Sequence, residues 1–504
     1  MNGMSNIFGI FRGESLKAKS IRGMMKLGLG TGVERFFRLI RTMVLTRILA
    51  LEEFGLMAIV LILVNVFEQI SEMGIKTAVI QNKRGNTYEF LNATWWLQAA
   101  RSIGLFAIAM IAAPLISSFF DKPHLLKLLQ VSLLAIIFRG FISPRAYTLQ
   151  KEYKFGLMVL YIQGSALLGT IVTIVCAFTM RNIWALIIGY VSEYFFLVVL
   201  SYVVSPFRPR FGIDRNYLKE LIHFARGIFG LPILSLIGFS APTFVLGKIV
   251  SEEQLGLYAL AGQLINIPLL LFAKIVSPVI LPGYTKKQDD RIALKKVVFK
   301  LSEIVAAMTF PMAGYIMVCS PALMVLLWGS SYIDATMPCI VLSLLIIVRM
   351  QGPVLSTAYV AVGKPYYQRN FVIMQTSLIV IFIYPAVVHW GLVGAALTSV
   401  IGSFIAVFMQ VFWCRRVIDF HFEEYIKGYF PGLVMALLPV ITVFILTLSG
   451  VNSLLLILVA GAFAVLVSYA VYFGRKLLAD SYGISLQAYI KAILSKKISP
   501  AKGE

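Results

Sequence analysis

Carboxylates are scarce in this 504-residue chain: 23 Asp and Glu stand against 45 Lys and Arg, a formal net charge of +22. Charged residues of both signs make up only 13% of the sequence and apolar ones 59%, with a mean hydropathy of +0.86. That balance excludes an ordinary soluble globular protein. Cysteine and histidine are also rare. Cys176, Cys319, Cys339 and Cys414 show no CxxC spacing, and His124, His223, His389 and His421 are isolated from one another. A disulfide framework or zinc cluster is therefore excluded, and the thiols read as small buried hydrophobes. No nucleophile–base pair, phosphate-binding glycine loop or metal-ligand spacing occurs. Neither an enzyme nor an ATP-driven motor is expected, and no cofactor is implied. Arg12, Lys17, Lys19, Arg22 and Lys26 lead straight into an apolar stretch with no cleavage-site pattern, so no segment is expected to be removed.

What the chain has instead is a succession of apolar stretches, each of about 20 residues and able to cross roughly 30 Å of hydrocarbon. They predict an all-α polytopic membrane protein with about 14 transmembrane helices. The spans lie near 27–48, 54–74, 93–118, 125–148, 156–178, 182–205, 222–247, 254–283, 302–328, 334–361, 369–388, 391–414, 430–449 and 453–473. Basic residues concentrate on alternate loops, including Lys83 and Arg84, Lys151 and Lys154, Arg208 to Lys219, Lys286 to Lys296, Arg415 and Arg416, and the tail from Arg475. This is the positive-inside pattern. It predicts cytoplasmic N- and C-termini, and it explains the net charge without nucleic acid. The tail spaces Leu477, Leu478, Ile484, Leu486, Ile490, Ile493 and Leu494 at helical intervals among lysines, as expected of a segment lying on anionic membrane lipids.

The chain also repeats itself. The segment Leu45 to Ala58 recurs as Leu246 to Ala259 at an offset of 201, and the match continues through Leu63 and Asn65 onto Leu264 and Asn266. Ile136-Ile137-Phe138-Arg139 recurs as Ile346-Ile347-Val348-Arg349, followed by Pro144 and Pro353. The copies lie six spans apart and so share one membrane orientation, which predicts parallel repeats about an axis along the membrane normal. The expected organisation is a basic N-terminal segment 1–26, a six-helix lobe 27–205, a basic linker 206–221, a second six-helix lobe 222–416, two additional helices 417–473 and a basic tail 474–504.

Several cations fall inside these spans: Arg35, Arg38, Arg41, Arg101, Arg139, Lys274 and Arg349. Each costs at least about 2.5–3.5 kcal/mol at membrane depth unless it faces a cavity or a partner. Only Glu34, Glu68, Glu193 and Glu303 lie comparably deep. Positive charge remains after every pairing, which predicts a cavity that receives an anion. Glu34, Arg38 and Arg41 share one helix face, with Arg35 beside it. Arg139 and Arg349, as repeat equivalents placed mid-span, are expected to face each other across a cleft. Arg101 is expected to pair with Glu68. Glu193, with no basic neighbour in its own span, is a candidate proton carrier. Gly28, Gly30 and Gly32 suggest a hinge in the first span.

The run from Arg47 to Leu56, Gly74 to Gln81, Ala113-Pro114 to Phe120 and Pro144 to Phe155 resemble the polysaccharide transporter family, the Wzx-like flippases of the multidrug/oligosaccharidyl-lipid/polysaccharide (MOP) exporter superfamily. The resemblance spans nearly the whole chain and is sharpest in the first 160 residues. It implies movement of undecaprenyl-diphosphate-linked oligosaccharide across the bacterial inner membrane, for O-antigen, capsule or exopolysaccharide, through an alternating-access cleft between two lobes. On that reading Arg38, Arg41, Arg139, Arg349, Arg35, Arg101 and Lys274 contact the diphosphate, and Glu68 and Glu193 couple transport to a proton or sodium gradient. A polysaccharide polymerase and a chain-length regulator are the implied partners of a monomer. The alternatives are a multidrug exporter of the same superfamily and a flippase of the peptidoglycan lipid precursor. A membrane-embedded glycosyltransferase would need larger external loops.

Overall fold

The computed structural model describes residues 16–71, 74–212, 214–228, 231–275, 280, 284–285 and 289–482. All regular structure among these residues is helical. The first half comprises α1 (Leu16–Leu45), α2 (Leu51–Ser71), the short α3 (Ile75–Gln81), α4 (Tyr88–Phe119), α5 (Pro123–Ser132), α6 (Leu134–Gly140), α7 (Arg145–Lys151), α8 (Phe155–Met180) and α9 (Trp184–Val204). The second comprises α10 (Arg215–Ile228), α11 (Leu231–Ile249), α12 (Glu252–Ile275), α13 (Arg291–Leu323), α14 (Thr336–Ala361) and α15 (Tyr366–Ile418). It ends with α16 (Phe422–Lys427), α17 (Phe430–Leu448) and α18 (Leu454–Tyr482). Large apolar side chains such as Ile111, Leu115, Ile171, Phe178, Phe404, Phe444 and Phe463 remain exposed. That is the surface a multi-pass protein presents to lipid rather than water.

Nine helical stretches among the described residues are long and apolar enough to cross a membrane. One of them, α15, has 53 residues, or about 80 Å at helical rise, far more than one crossing needs. Its chain turns at Gly391, whose φ of 54° is left-handed backbone that favours glycine. The two arms pack together: Gln375 Nε2 donates to Ser403 Oγ at 2.8 Å across the pair.

Two spans differ from the sequence expectation. The stretch 125–148 is not continuous. It runs through α5 and α6 with only a turn at Leu133, stops at Gly140 and resumes as α7, because Pro144 disfavours helix at Ser143. Ser143 is instead fastened to the end of α9, its amide donating to Ser201 Oγ (3.0 Å) and its hydroxyl to Ser205 O (2.6 Å). The seventh span is shortened, since amphipathic α10 precedes the apolar α11. Spans eleven and twelve are the two arms of α15.

In the first half α8 packs between α1 and α9, and α6 touches α4 and α9; in the second, α14 packs on α12, α13 and α15, while α17 and α18 lie on α13. The halves meet where α2 packs on α11 and α12, and where α1 packs on α12. The repeat motif forms this seam. A Cβ on Gly55 would overlap Glu252 O and stand 3.1 Å from Gly256 N; one on Gly256 would stand 2.5 Å from Leu51 O and 3.3 Å from Gly55 N. Two glycines separated by the repeat offset thus contact each other reciprocally, as residues beside a two-fold axis do.

The same end is fastened twice more in a paired way. Arg47 Nη2 donates to Leu326 O at 3.2 Å, and its repeat equivalent Lys248 donates through Nζ to Phe119 O at 2.5 Å. Each cation caps carbonyls left over where a long helix of the opposite half ends. Lys122–Glu252 (2.8 Å) and Lys248–Asp121 (2.5 Å) add ion pairs between the halves. This end, where α1 turns into α2, is closed.

Candidate functional site: a cationic cavity between the halves

Below that seam lies a cavity of about 780 Å³. Its walls come from α1, α2, α8 and α9 on one side and from α11, α12 and α14 on the other. Arg35, Arg38, Arg41 and Arg349 line it, against Glu193 as the one lining carboxylate among the described residues. The repeat runs through the walls: Ala58 and Ala259, and Asn65 and Asn266, line it as equivalent pairs. Thr42 and Gln263 join the halves at mid-height, Gln263 Nε2 donating to Thr42 Oγ1 at 3.0 Å.

The arginines are placed by α1, whose helical spacing brings Glu34, Arg38 and Arg41 to one face. Arg38 is held from two sides. Its Nε donates to Glu34 Oε1 at 2.9 Å and its Nη2 to Glu193 Oε1. The α9 carboxylate, which has no basic neighbour in its own span, thus has a basic partner 155 residues away on α1. The sequence missed it because only packing of α1 beside α8 and α9 brings the two together. Arg35 and Arg41 keep buried Nε groups without hydrogen-bond partners. Arg349, near the middle of α14, stacks its guanidinium over the Phe239 ring at 5.3 Å. Two of the four cations lining the cavity exceed what Glu193 and Glu34 can neutralise, and unpaired cations in such a place want an anionic occupant.

Arg139 does not mirror Arg349. It lies in the last turn of α6, ion-paired with Glu68 and 5.1 Å from the centre of the Tyr194 ring, whose residue lines the cavity. It stands one layer behind the wall. The asymmetry follows from the proline positions: α14 runs on through Pro353 to Ala361, whereas α6 stops before Pro144. Glu68, only 6% exposed, thus has Arg139 as an ion partner beside whatever Arg101 contributes. Arg101, half-buried on α4, makes interactions of its own and is absent from the cavity lining. The side chain of Lys274 lies outside the described residues.

The three glycines of α1 sit in unbroken helix. A Cβ on Gly30 would stand 2.9 Å from Val159 Cγ1, so that glycine permits close packing on α8; Gly32 has open space beside it. Asn65, Asn266, Gln263 and Tyr190 were not singled out in the sequence, although the match of Asn65 to Asn266 was its visible signal. Among the described residues no group of three His, Cys, Asp or Glu could hold a metal ion.

A multi-pass membrane fold with a charged cavity at the seam of two repeated halves has the architecture of an alternating-access transporter. Residues 44–337 match the family described as polysaccharide biosynthesis protein, and the chain belongs to that family. It is 24% identical over 487 residues, 95% of this chain and 100% of the relative, to an uncharacterized membrane protein in the cps region of Klebsiella pneumoniae. It is also 24% identical to the lipopolysaccharide biosynthesis protein WzxC of Escherichia coli K12, covering 82% of this chain and 84% of that one. Among solved structures it is similar to the lipid II flippase MurJ in an inward closed conformation, with a TM-score of 0.68 at 16% identity over 89% of this chain and 99% of that one. An inward-facing multidrug resistance MATE transporter of the MOP superfamily gives a TM-score of 0.62 at 15% identity, over 79% and 98%. The fold is that of the MOP superfamily.

Proposed function

We propose that this protein is a flippase that carries undecaprenyl-diphosphate-linked oligosaccharide from the cytoplasmic to the outer leaflet of the bacterial inner membrane. The observation that carries this reading is the set of four guanidiniums facing one carboxylate in a cavity between the halves. Guanidinium forks match the paired oxygens of a diphosphate, whereas a cationic drug would meet repulsion in the same space. Glu34 and Glu193 hold Arg38 at the cavity wall. The arriving diphosphate competes with them for Arg38, and the released Glu193 carboxylate is the candidate ion-coupling group. Such an exchange would couple transport to a gradient.

Positive-inside orientation puts the closed seam on the outer side, so the cavity belongs to the state loaded from the cytoplasm. Alternating access follows from parting the Gly55–Gly256 contact and the cross-half ion pairs while the lobes, 27–205 and 222–416, close at the other end. The relatives' printed roles in lipopolysaccharide, succinoglycan and amylovoran biosynthesis support a polysaccharide substrate here. A polymerase and chain-length regulator would act on the delivered product, and one chain, acting as a monomer, contains a complete cavity.

Two results are expected. Reporter fusions at Gln81, Arg210 and Arg416 report cytoplasm, and fusions at Glu52, Lys122 and Glu252 report the outside; one reproducible reversal removes the orientation. Deleting the gene leaves lipid-linked oligosaccharide on the cytoplasmic leaflet and depletes surface polysaccharide. Normal surface glycan together with intracellular drug accumulation would instead mark a drug exporter.

A further inference from the structure

A second, smaller chamber adjoins the main cavity and, among the described residues, has no charge of its own beyond their shared arginine. It measures about 300 Å³ and lies within the second half, between α11, α14 and the two arms of α15. Phe239, Arg349 and Pro353 line both spaces, so Arg349 stands between them. The remaining polar lining is amide and hydroxyl: Ser235, Ser356, Gln368, Gln375, Thr376, Ser403 and Gln410.

One of these groups is left wanting a donor. Gln410, fully buried, gives its Nε2 to Tyr359 Oη at 2.8 Å, and its Oε1 is buried without a hydrogen-bond partner. An orphaned amide oxygen at 0% exposure is costly unless an occupant supplies an N–H or O–H. Several of the other hydroxyls are already committed as donors: Thr376 Oγ1 donates to Leu234 O at 2.9 Å and Ser356 Oγ to Pro353 O at 3.3 Å. Gln375 Nε2 is likewise spent on Ser403 Oγ. The Gln410 oxygen is thus an acceptor awaiting a donor, beside amide and hydroxyl groups that can both give and take.

The lining narrows the occupant's chemistry. A metal or sodium ion is disfavoured because the lining holds no carboxylate among the described residues and carries the Arg349 cation. An anion would meet one guanidinium, but it would also face the lone pairs of the amide oxygens. A neutral molecule rich in hydroxyl donors suits both, and the volume falls at the low end of small-ligand sites, about 300–1,000 Å³. Phe239 and Phe371 add apolar faces on which the C–H side of a sugar ring can lie.

We infer that this chamber is a sugar subsite: it receives the saccharide unit next to the diphosphate, with Gln410 Oε1 accepting from a ring hydroxyl while Arg349, between the two spaces, holds the phosphate. The inference rests on the proposed flippase function and deepens it. It makes part of the selectivity a property of the second half alone. A lipid carrier without its glycan would engage the arginines and leave the chamber to water.

The test measures binding of two probes to the purified full-length protein in lipid nanodiscs. One is undecaprenyl diphosphate, and the other is the lipid-linked glycan pool extracted from cells lacking this gene. The wild type is expected to bind the glycan-bearing lipid about tenfold more tightly, the scale of one or two hydrogen bonds to a neutral ligand. Gln410→Leu should remove most of that preference while leaving affinity for bare undecaprenyl diphosphate within about twofold. Gly352→Ala gives an independent check if Gln410→Leu fails to fold. Its methyl would stand 3.6 Å from Gln410 Oε1 with no other close neighbour, screening the acceptor at little cost to packing. A folded variant of either kind that keeps the full preference, or a wild type without one, overturns the subsite. Failure of the wild type to bind either lipid would instead overturn the flippase reading on which it rests.

Discussion

Replacing Arg349 with alanine is expected to abolish glycan flipping while the protein reaches normal abundance. The guanidinium lines both cavities, and the contact the structure gives it is the face of Phe239. Its loss therefore strands no carboxylate whose desolvation would unfold the protein. On the proposed function, what is lost is a charge-assisted contact to the diphosphate, about 1.5–3 kcal/mol, or roughly 10- to 150-fold in affinity. Lysine should recover part of the activity, because it restores charge without the planar fork. Glutamate should be worse than alanine. Quantitative immunoblots beside a surface-polysaccharide assay check this; full activity in an abundant Arg349→Ala protein would remove the residue from the substrate path.

Arg139→Ala should fail for the opposite reason. It leaves Glu68, 6% exposed, without the ion partner that α6 supplies. Breaking a buried pair from one side costs about 3–5 kcal/mol, and the low end applies because Arg139 keeps 33% side-chain exposure. Abundance and transport should fall together. Adding Glu68→Gln should restore part of the abundance, since it removes the carboxylate charge that faced Arg139, and transport should return with it. An Arg139→Ala protein of normal abundance and no activity would place Arg139 in the substrate path after all.

These two arginines show how far the sequence reaches. The repeat of Ile136 to Arg139 in Ile346 to Arg349 announced related helices, and nothing in that match showed that they end differently. The difference lies in the proline beyond each arginine. Pro353 is absorbed within α14, with Thr357 Oγ1 donating back to Pro353 O at 2.7 Å, whereas the chain leaves helix before Pro144 and is tied to α9 through Ser143. Tertiary contacts decided which proline would break its helix. The same holds for Arg38. Its i+4 relation to Glu34 is legible in α1, while its bond to Glu193 depends on packing between helices far apart in sequence.

The seam was the most legible feature. Gly55 and Gly256 occupy one position of a gapless repeat, and a two-fold relation between halves requires that some equivalent residues meet at its axis. Asn65 and Asn266 follow from the same logic, deeper in the cavity wall. The side chamber had no such signal. Its amides come from both arms of α15 and its hydroxyls from α11, α14 and α15, and neither periodicity nor charge sets Gln375 or Gln410 apart from an ordinary buried glutamine.

The central claim is that a surplus of guanidinium in the inter-half cavity moves a diphosphate-linked glycan across the bilayer. Its most direct measurement uses sealed vesicles containing the purified protein and undecaprenyl-diphosphate-linked glycan in both leaflets. A membrane-impermeant glycan-oxidising reagent is added outside, and the fraction of glycan lipid it reaches is followed with time. The wild type should expose the protected inner-leaflet fraction, and a folded double variant, Arg41→Ala with Arg349→Ala, should leave it protected as empty vesicles do. Equal exposure by the wild type and that double variant would contradict the account.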